Sequence, residues 1–268
     1  MVSKYKSEAV SLIAMVAIMV IIFSSLYFYT GNWPPAVIVE SSSMQHGNNF
    51  VLYAINTGDI VGVKKISNFT SVETYLVARE RGSPWNYGEF GDVIVYRDYF
   101  IPELVIHRAI FYVVGWNGSV PILYGNDNPS WLSIQGSEVY ITDVGYAHKN
   151  LLVDLRSYVG QTGFVTMGDH NLADSPVHNG NYTIAADQNV NIDNSLVNAS
   201  QVIGYAVGHL PIVGVFKVWL TRNQADINDI PIQSSEAMVV IIAAVVLLII
   251  APIPSMTLIR KRTEERKK

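Results

Sequence analysis

The chain has 268 residues, half of them apolar, which is enough for one good-sized domain with membrane anchors. It has no cysteine, so a disulfide framework and a thiolate metal site are excluded. The net charge is −4, but the two ends hold eight Lys/Arg and three Glu, leaving 10 basic and 19 acidic residues between them, a balance that argues against a nucleic-acid partner.

In chain order, a short basic N-terminus (1–8, with Lys4 and Lys6) precedes twenty uncharged residues, Ala9–Phe28. About 20 apolar residues cross a bilayer as a helix, and this run exceeds the ~7–15 residues of a cleavable leader's core, so it is expected to be retained as an anchor. About a dozen residues later comes Glu40-Ser41-Ser42-Ser43-Met44-Gln45-His46-Gly47. The segment 30–236 then reads as a β domain. Ile60–Lys64, Val93–Tyr96, Leu104–Ile106, Ile110–Val114, Val139–Ile141, Gly163–Thr166 and Val213–Trp219 are β-branched runs separated by Gly, Asn, Asp and Pro clusters. Two stretches, Ser67–Tyr87 and Trp116–Tyr158, read as irregular insertions, the second an ordered surface subdomain. Asn171–Ser200 reads as a long polar loop region with a short strand at Ile184–Ala186. Many short strands with polar turns predict a barrel or twisted sandwich. Ala237–Ile259 is a second apolar run, followed by a basic tail over 260–268. Lys and Arg collect outside both runs, so the positive-inside rule puts both termini in the cytoplasm and 30–236 outside. Four Asn-x-Ser/Thr sequons, at Asn68, Asn117, Asn181 and Asn198, fall in that outer segment.

A serine hydroxyl becomes a competent nucleophile only beside a base, with donors placed for the developing oxyanion. Histidine is the usual base, and a carboxylate commonly orients it. Three segments offer these groups: Ser41-Ser42-Ser43, Val105-Ile106-His107-Arg108, and Thr166-Met167-Gly168-Asp169-His170-Asn171-Leu172-Ala173-Asp174. Any one of these residues alone reads as a cap, a turn or a structural hydrogen-bonder; the set in order carries the signal. No metal or cofactor motif is found.

The set resembles the type I signal peptidases, in their archaeal and endoplasmic-reticulum branch. Ser41-Ser42-Ser43-Met44 matches the family's first box, which makes Ser43 the nucleophile and Ser41 an oxyanion-hole donor. Gly58-Asp59-Ile60-Val61 and Gly91-Asp92-Val93-Ile94-Val95 match the next strands. Ile101-Pro102 with Val105-Ile106-His107-Arg108-Ala109 matches the box in which this branch has its histidine base and bacterial members a lysine. Gly168-Asp169-His170-Asn171 approximates the acid box. In relatives the essential acid lies about six residues beyond the Gly-Asp; Asp174 lies five beyond Asp169, so Asp174 is expected as the orienting acid with Asp169 as competitor. Gly125-Asn126-Asp127-Asn128 is a decoy without the preceding Phe164-Val165-Thr166 pattern. Val202-Ile203-Gly204-Tyr205-Ala206-Val207-Gly208 through Gly214 matches the closing segment. The matches run from about 36 to 220. The proline that usually follows the first box is missing and His46 stands near its place, a conceivable alternative base or a turn histidine. Arg108 reads as a structural ion-pairing residue, and Lys64 and Lys65 as a solvated strand end.

The resemblance implies a mainly β catalytic domain with inserted loops between two transmembrane helices. Its activity would be a cofactor-free Ser-His acyl transfer, and its partners the signal peptides of exported preproteins, the lipid bilayer and the protein-export channel. Two other readings stay open: a related membrane protease for a special class of precursors, and a non-enzymatic two-span surface or assembly protein.

Overall fold

The structure, a computed structural model, describes residues 2–98, 104–178, 181–221 and 224–250. Ile101-Pro102, the end of the second apolar run and the basic tail lie outside them.

Helix α1 (Val2–Thr30) leads into β1 (Ala36–Ile38) and β2 (Ile60–Lys64), then α2 (Tyr75–Arg81), β3 (Val93–Arg97), β4 (Leu104–Asn117), β5 (Val120–Leu123), β6 (Leu132–Gln135), β7 (Glu138–Val144) and β8 (Lys149–Asp154). There follow β9 (Gly163–Met167), α3 (Asp169–Asp174), β10 (Val177–His178), β11 (Tyr182–Thr183), β12 (Val202–Leu210), α4 (Val215–Thr221), α5 (Gln224–Asn228) and α6 (Ile232–Ile250). The strands form two sheets. One runs β1-β2-β12-β3-β4-β5 with β9 also on β4; the other runs β10-β11-β8-β7-β6.

In α1, the span Ala9–Thr30 is 22 residues at a mean hydropathy of 2.7, with its most apolar stretch wholly unburied. By length and composition it is the one described helix able to cross a membrane. Its C-terminal end is tied to the domain, since the Lys65 N–H donates to the Thr30 carbonyl (2.8 Å) and the Lys64 ammonium lies over the Tyr29 ring. Helix α6 carries the first part of the second apolar run.

Strand β4 is buried from Val105 to Val113 because cores press on both its faces. Ile106 joins a core with Val39, Met44, Val61, Val93 and Val95. Val105, Ala109 and Tyr112 pack with Ile94, Tyr96 and Phe164. Beyond a register shift between Ala109 and Phe111, the strand's Ile110, Phe111 and Val113 join the large core beneath α2 and the second sheet. A bulge of this kind bends a strand and re-aims its side chains, so one strand serves three cores.

Leu104–Ile106 and Ile110–Val114, read from sequence as two strands, are parts of this one strand. The Trp116–Tyr158 insertion supplies β5 to β8, and Ser67–Tyr87 contains α2, whose Tyr75, Leu76, Val77 and Ala78 are buried. Val213–Trp219 is not a strand. Val215 and Val218 repeat at helical spacing and pack with Ile230 and Met238, and that tertiary burial outweighs the β preference of valine. The short strand lies at Tyr182–Thr183 rather than Ile184–Ala186, and Asp169–Asp174 is helical.

Candidate active site

Ser41, Ser42, Ser43 and His107 line one cleft of about 890 Å³. Its walls are apolar residues of β1 (Ala36, Val37, Ile38), of β4 (Leu104, Val105, Ile106) and Val95 of β3. Glu40, Lys217 and Asp226 also line it, and the Lys217 ammonium bonds to Glu40.

The serine loop is held from behind. Met44 is 1% exposed and fills the core beneath β2 and β3, a burial that contributes about 1.5–3 kcal/mol. The buried Gln45 side chain accepts the Thr57 N–H (3.1 Å), and the Gln45 N–H closes a turn onto the Ser42 carbonyl (2.9 Å). The Ser43 carbonyl accepts the His170 N–H (2.9 Å). Gly168 allows that approach, since a Cβ there would stand 2.6 Å from the Ser43 carbonyl oxygen. With its neighbours pinned, Ser43 is presented to the cleft, its Oγ 3.2 Å from the Ser41 Oγ. The Ser42 hydroxyl turns elsewhere, donating to Asp229 (2.9 Å).

His107 and Arg108 are successive residues of β4, so their side chains leave on opposite faces. Each meets its own carboxylate. The His107 Nδ1–H donates to Asp187 Oδ2 at 2.6 Å; His107 is 4% and Asp187 0% exposed. The Tyr96 hydroxyl donates to the same oxygen (3.1 Å) and burial, then the Asp187 charge, push its own ionisation well up, so it stays a donor. The backbone of Asp187 is fixed by its N–H to the Thr166 carbonyl on β9 (2.9 Å). With Nδ1 engaged, Nε2 is the ring nitrogen left to take a proton.

On the other face, Arg108 donates to both oxygens of Asp169 (2.8 and 2.6 Å) and to the carbonyls of Asn86, Phe90 and Gly91. Burial would raise the Asp169 carboxyl; the Arg108 guanidinium, with help from His46, holds it down at about 2. The His46 side chain is largely covered, its Nε2 3.1 Å from Asp169 Oδ2 and its ring stacked on Tyr146 at 4.3 Å. It lines a different cavity, so the structure gives it no place in the cleft as a base.

The acid is a correction to the sequence reading. Asp174 ends α3 with its side chain 73% exposed and paired to His170 (3.2 Å), and Asp169 belongs to Arg108; neither carboxylate is on His107. Asp127 is an exposed loop residue whose N–H donates to Glu80. Asp187 is preceded by Ala186, so it lacks the leading Gly of the acid box. The spacing was present: Asp187 and Asp193 are six residues apart. Asp193 is also buried, and burial, with Asp98 and Asp187 nearby, pushes its carboxyl up to about 6. His107 thus faces an acidic, water-poor interior on one side and the cleft on the other.

Such an arrangement can accept a proton from a cleft-side hydroxyl and hold the resulting imidazolium against a carboxylate. A comparison with models of known protein families found no match, and neither did a comparison with curated proteins.

Proposed function

We propose that the protein is a membrane-bound serine endopeptidase of signal-peptidase type that removes signal peptides from exported precursors. The observation that carries this reading is the Asp187–His107 pair opening onto the cleft that also holds Ser43. His107 Nε2 takes the Ser43 proton as Oγ attacks the scissile carbonyl, giving a tetrahedral oxyanion that the Ser43 N–H and Ser41 hydroxyl stabilise. The imidazolium then protonates the leaving amine, and water, deprotonated by the same ring, releases the acyl group. Asp187 keeps the tautomer and offsets the imidazolium charge throughout.

The cleft fits an extended peptide. β1 is the edge of its sheet and lines the cleft, so a substrate strand can add to it, with alternate side chains entering the apolar wall. α1 anchors the domain so that Ser43 stands close to the point where a membrane-spanning signal peptide emerges. In this reading the second apolar run, beginning in α6, is a second span and both termini are cytoplasmic. The signal peptide, the bilayer and the protein-export channel are the partners.

The test is to reconstitute the full chain in liposomes with an exported precursor and to determine the new N-terminus by mass spectrometry. A single cut following a small-x-small pattern is expected, blocked when the last residue before it is changed to Phe. Intact precursor, or cutting indifferent to that change, would remove the proposal.

A further inference from the structure

A second cavity, of about 560 Å³, opens where the serine loop ends at His46. Its walls are aromatic: Tyr53, Trp85, Tyr87, Phe90 and Tyr146 line it, with Trp85 edge-on to Phe90 (6.1 Å) and Tyr53 edge-on to His46 (6.3 Å). One wall is a strained two-residue turn. Asn86 and Glu89 bond to each other across it, and the central Tyr87 and Gly88 both have positive φ, 54° and 81°. Such a turn ordinarily has Asn-Gly at its centre; a tyrosine there costs energy. Gly88 is required twice over, because a Cβ would stand 2.7 Å from the His46 ring and 3.0 Å from that of Tyr53. The turn delivers Glu89 to the cavity.

The other charged groups in the walls are engaged. Arg79 donates to the Thr142 and Asp143 carbonyls (2.7 and 3.1 Å) and stacks on Trp131; His148 is on Asp143 (2.8 Å); His46 is on Asp169. Glu89 is the exception. It is 7% exposed, and no hydrogen-bond or ion-pair partner meets its carboxylate among the described residues. Burial, and then the charge of Asp169, raise its carboxyl above the ordinary range; Arg108, His46 and His148 offset this only in part. A carboxylate without an ion-pair partner, among aromatic side chains, is the complement of an organic cation, which gains both the charge and the ring quadrupoles.

We propose that this cavity is a binding site for an alkylammonium cation, seated on Glu89 and held by the rings of Trp85, Tyr87 and Tyr146. The shared chemistry is a positively charged nitrogen bearing carbon groups, supplied by a polypeptide lysine side chain or by a free quaternary ammonium. The site is separate from the Ser43 cleft, and its occupancy does not depend on catalysis.

Calorimetric titration of the full chain in a maltoside detergent tests this with choline, N-acetyl-lysine methylamide and dimethylbutanol, the uncharged isostere of choline. At least one cation is expected to bind saturably, about ten-fold or more tighter than the isostere. Tighter binding of the lysine probe identifies a polypeptide side chain, and tighter binding of choline a free quaternary ammonium. Glu89→Gln should lose about ten-fold or more for the cation and little for the isostere. Trp85→Ala, at a ring 67% exposed, should lose about five-fold and keeps the test valid if Glu89→Gln fails to fold. No saturable binding of either cation, equal binding of the isostere, or an unchanged affinity in Trp85→Ala would overturn the proposal.

Discussion

Asp187→Asn isolates the acid from the rest of the site. The side chain keeps its volume in a fully buried place, so the packing around it is retained. What changes is Oδ2, which now accepts from both His107 Nδ1 (2.6 Å) and the Tyr96 hydroxyl (3.1 Å). If the amide nitrogen takes that position it donates to Nδ1, the ring proton moves to Nε2, and His107 loses the lone pair that would accept the Ser43 proton. If the amide oxygen takes it, the tautomer survives but the charge that offsets the imidazolium is gone. In triad enzymes this kind of exchange costs about 10⁴-fold in turnover, or about 5.4 kcal/mol on the barrier. The assay is single-turnover cleavage of an exported precursor by the detergent-purified chain, with circular dichroism and a thermal melt to confirm that the variant folds. Asp174→Asn, measured beside it, should stay within about two-fold of wild type, because its carboxylate is exposed and paired with His170 rather than His107. A folded Asp187→Asn enzyme within about ten-fold of wild type, or an Asp174→Asn loss equal to it, would refute the assignment of the acid.

Other outcomes follow from the same geometry. Ser41→Ala should lower kcat about 10²-fold with little change in KM, the loss expected for one oxyanion donor, whereas Ser42→Ala should leave kcat nearly intact because its hydroxyl serves Asp229; equal losses at the two would contradict the loop geometry. Arg108→Met should cost about 3–5 kcal/mol of stability in urea unfolding, since it strands the buried Asp169; a change under about 1 kcal/mol would show that the pair is dispensable. The Asp169 carboxyl is lower folded (about 2) than unfolded (about 3.9), so its stabilisation, roughly 2–3 kcal/mol, is complete above about pH 5 and lost as pH falls through about 2. The stability gap between wild type and Asp169→Asn should therefore narrow by that amount over this window, and a constant gap would contradict the pairing.

The sequence disclosed those parts of the site that rest on local pattern. The three hydroxyls of the serine loop, shortly after an apolar run, and His107 were legible only as members of an ordered set; that the methionine after the serines plugs a core is seen only in the fold. Strand alternation puts His107 and Arg108 on different faces of β4, but it does not say which acids they meet. That information is tertiary. Asp187 reaches β4 because its N–H docks on Thr166 of β9, which itself pairs with β4, and nothing in residues 184–190 considered alone announces it. The Gly-Asp at 168–169 resembles the acid box, but in the fold its glycine allows close approach to the Ser43 carbonyl and its acid pairs with Arg108. α4 was illegible for a comparable reason. Its valines favour strand, and only the α6 surface that they bury against makes helix the better solution.

The most direct measurement of the central claim compares wild type and Ser43→Ala on one exported precursor in the same membranes, each quantified for folded, inserted protein. The account predicts that the wild-type chain releases the shortened product and that Ser43→Ala releases none while still binding the precursor. Cleavage by Ser43→Ala at the wild-type rate, or an inactive wild-type chain under conditions where it is folded and inserted, would contradict it.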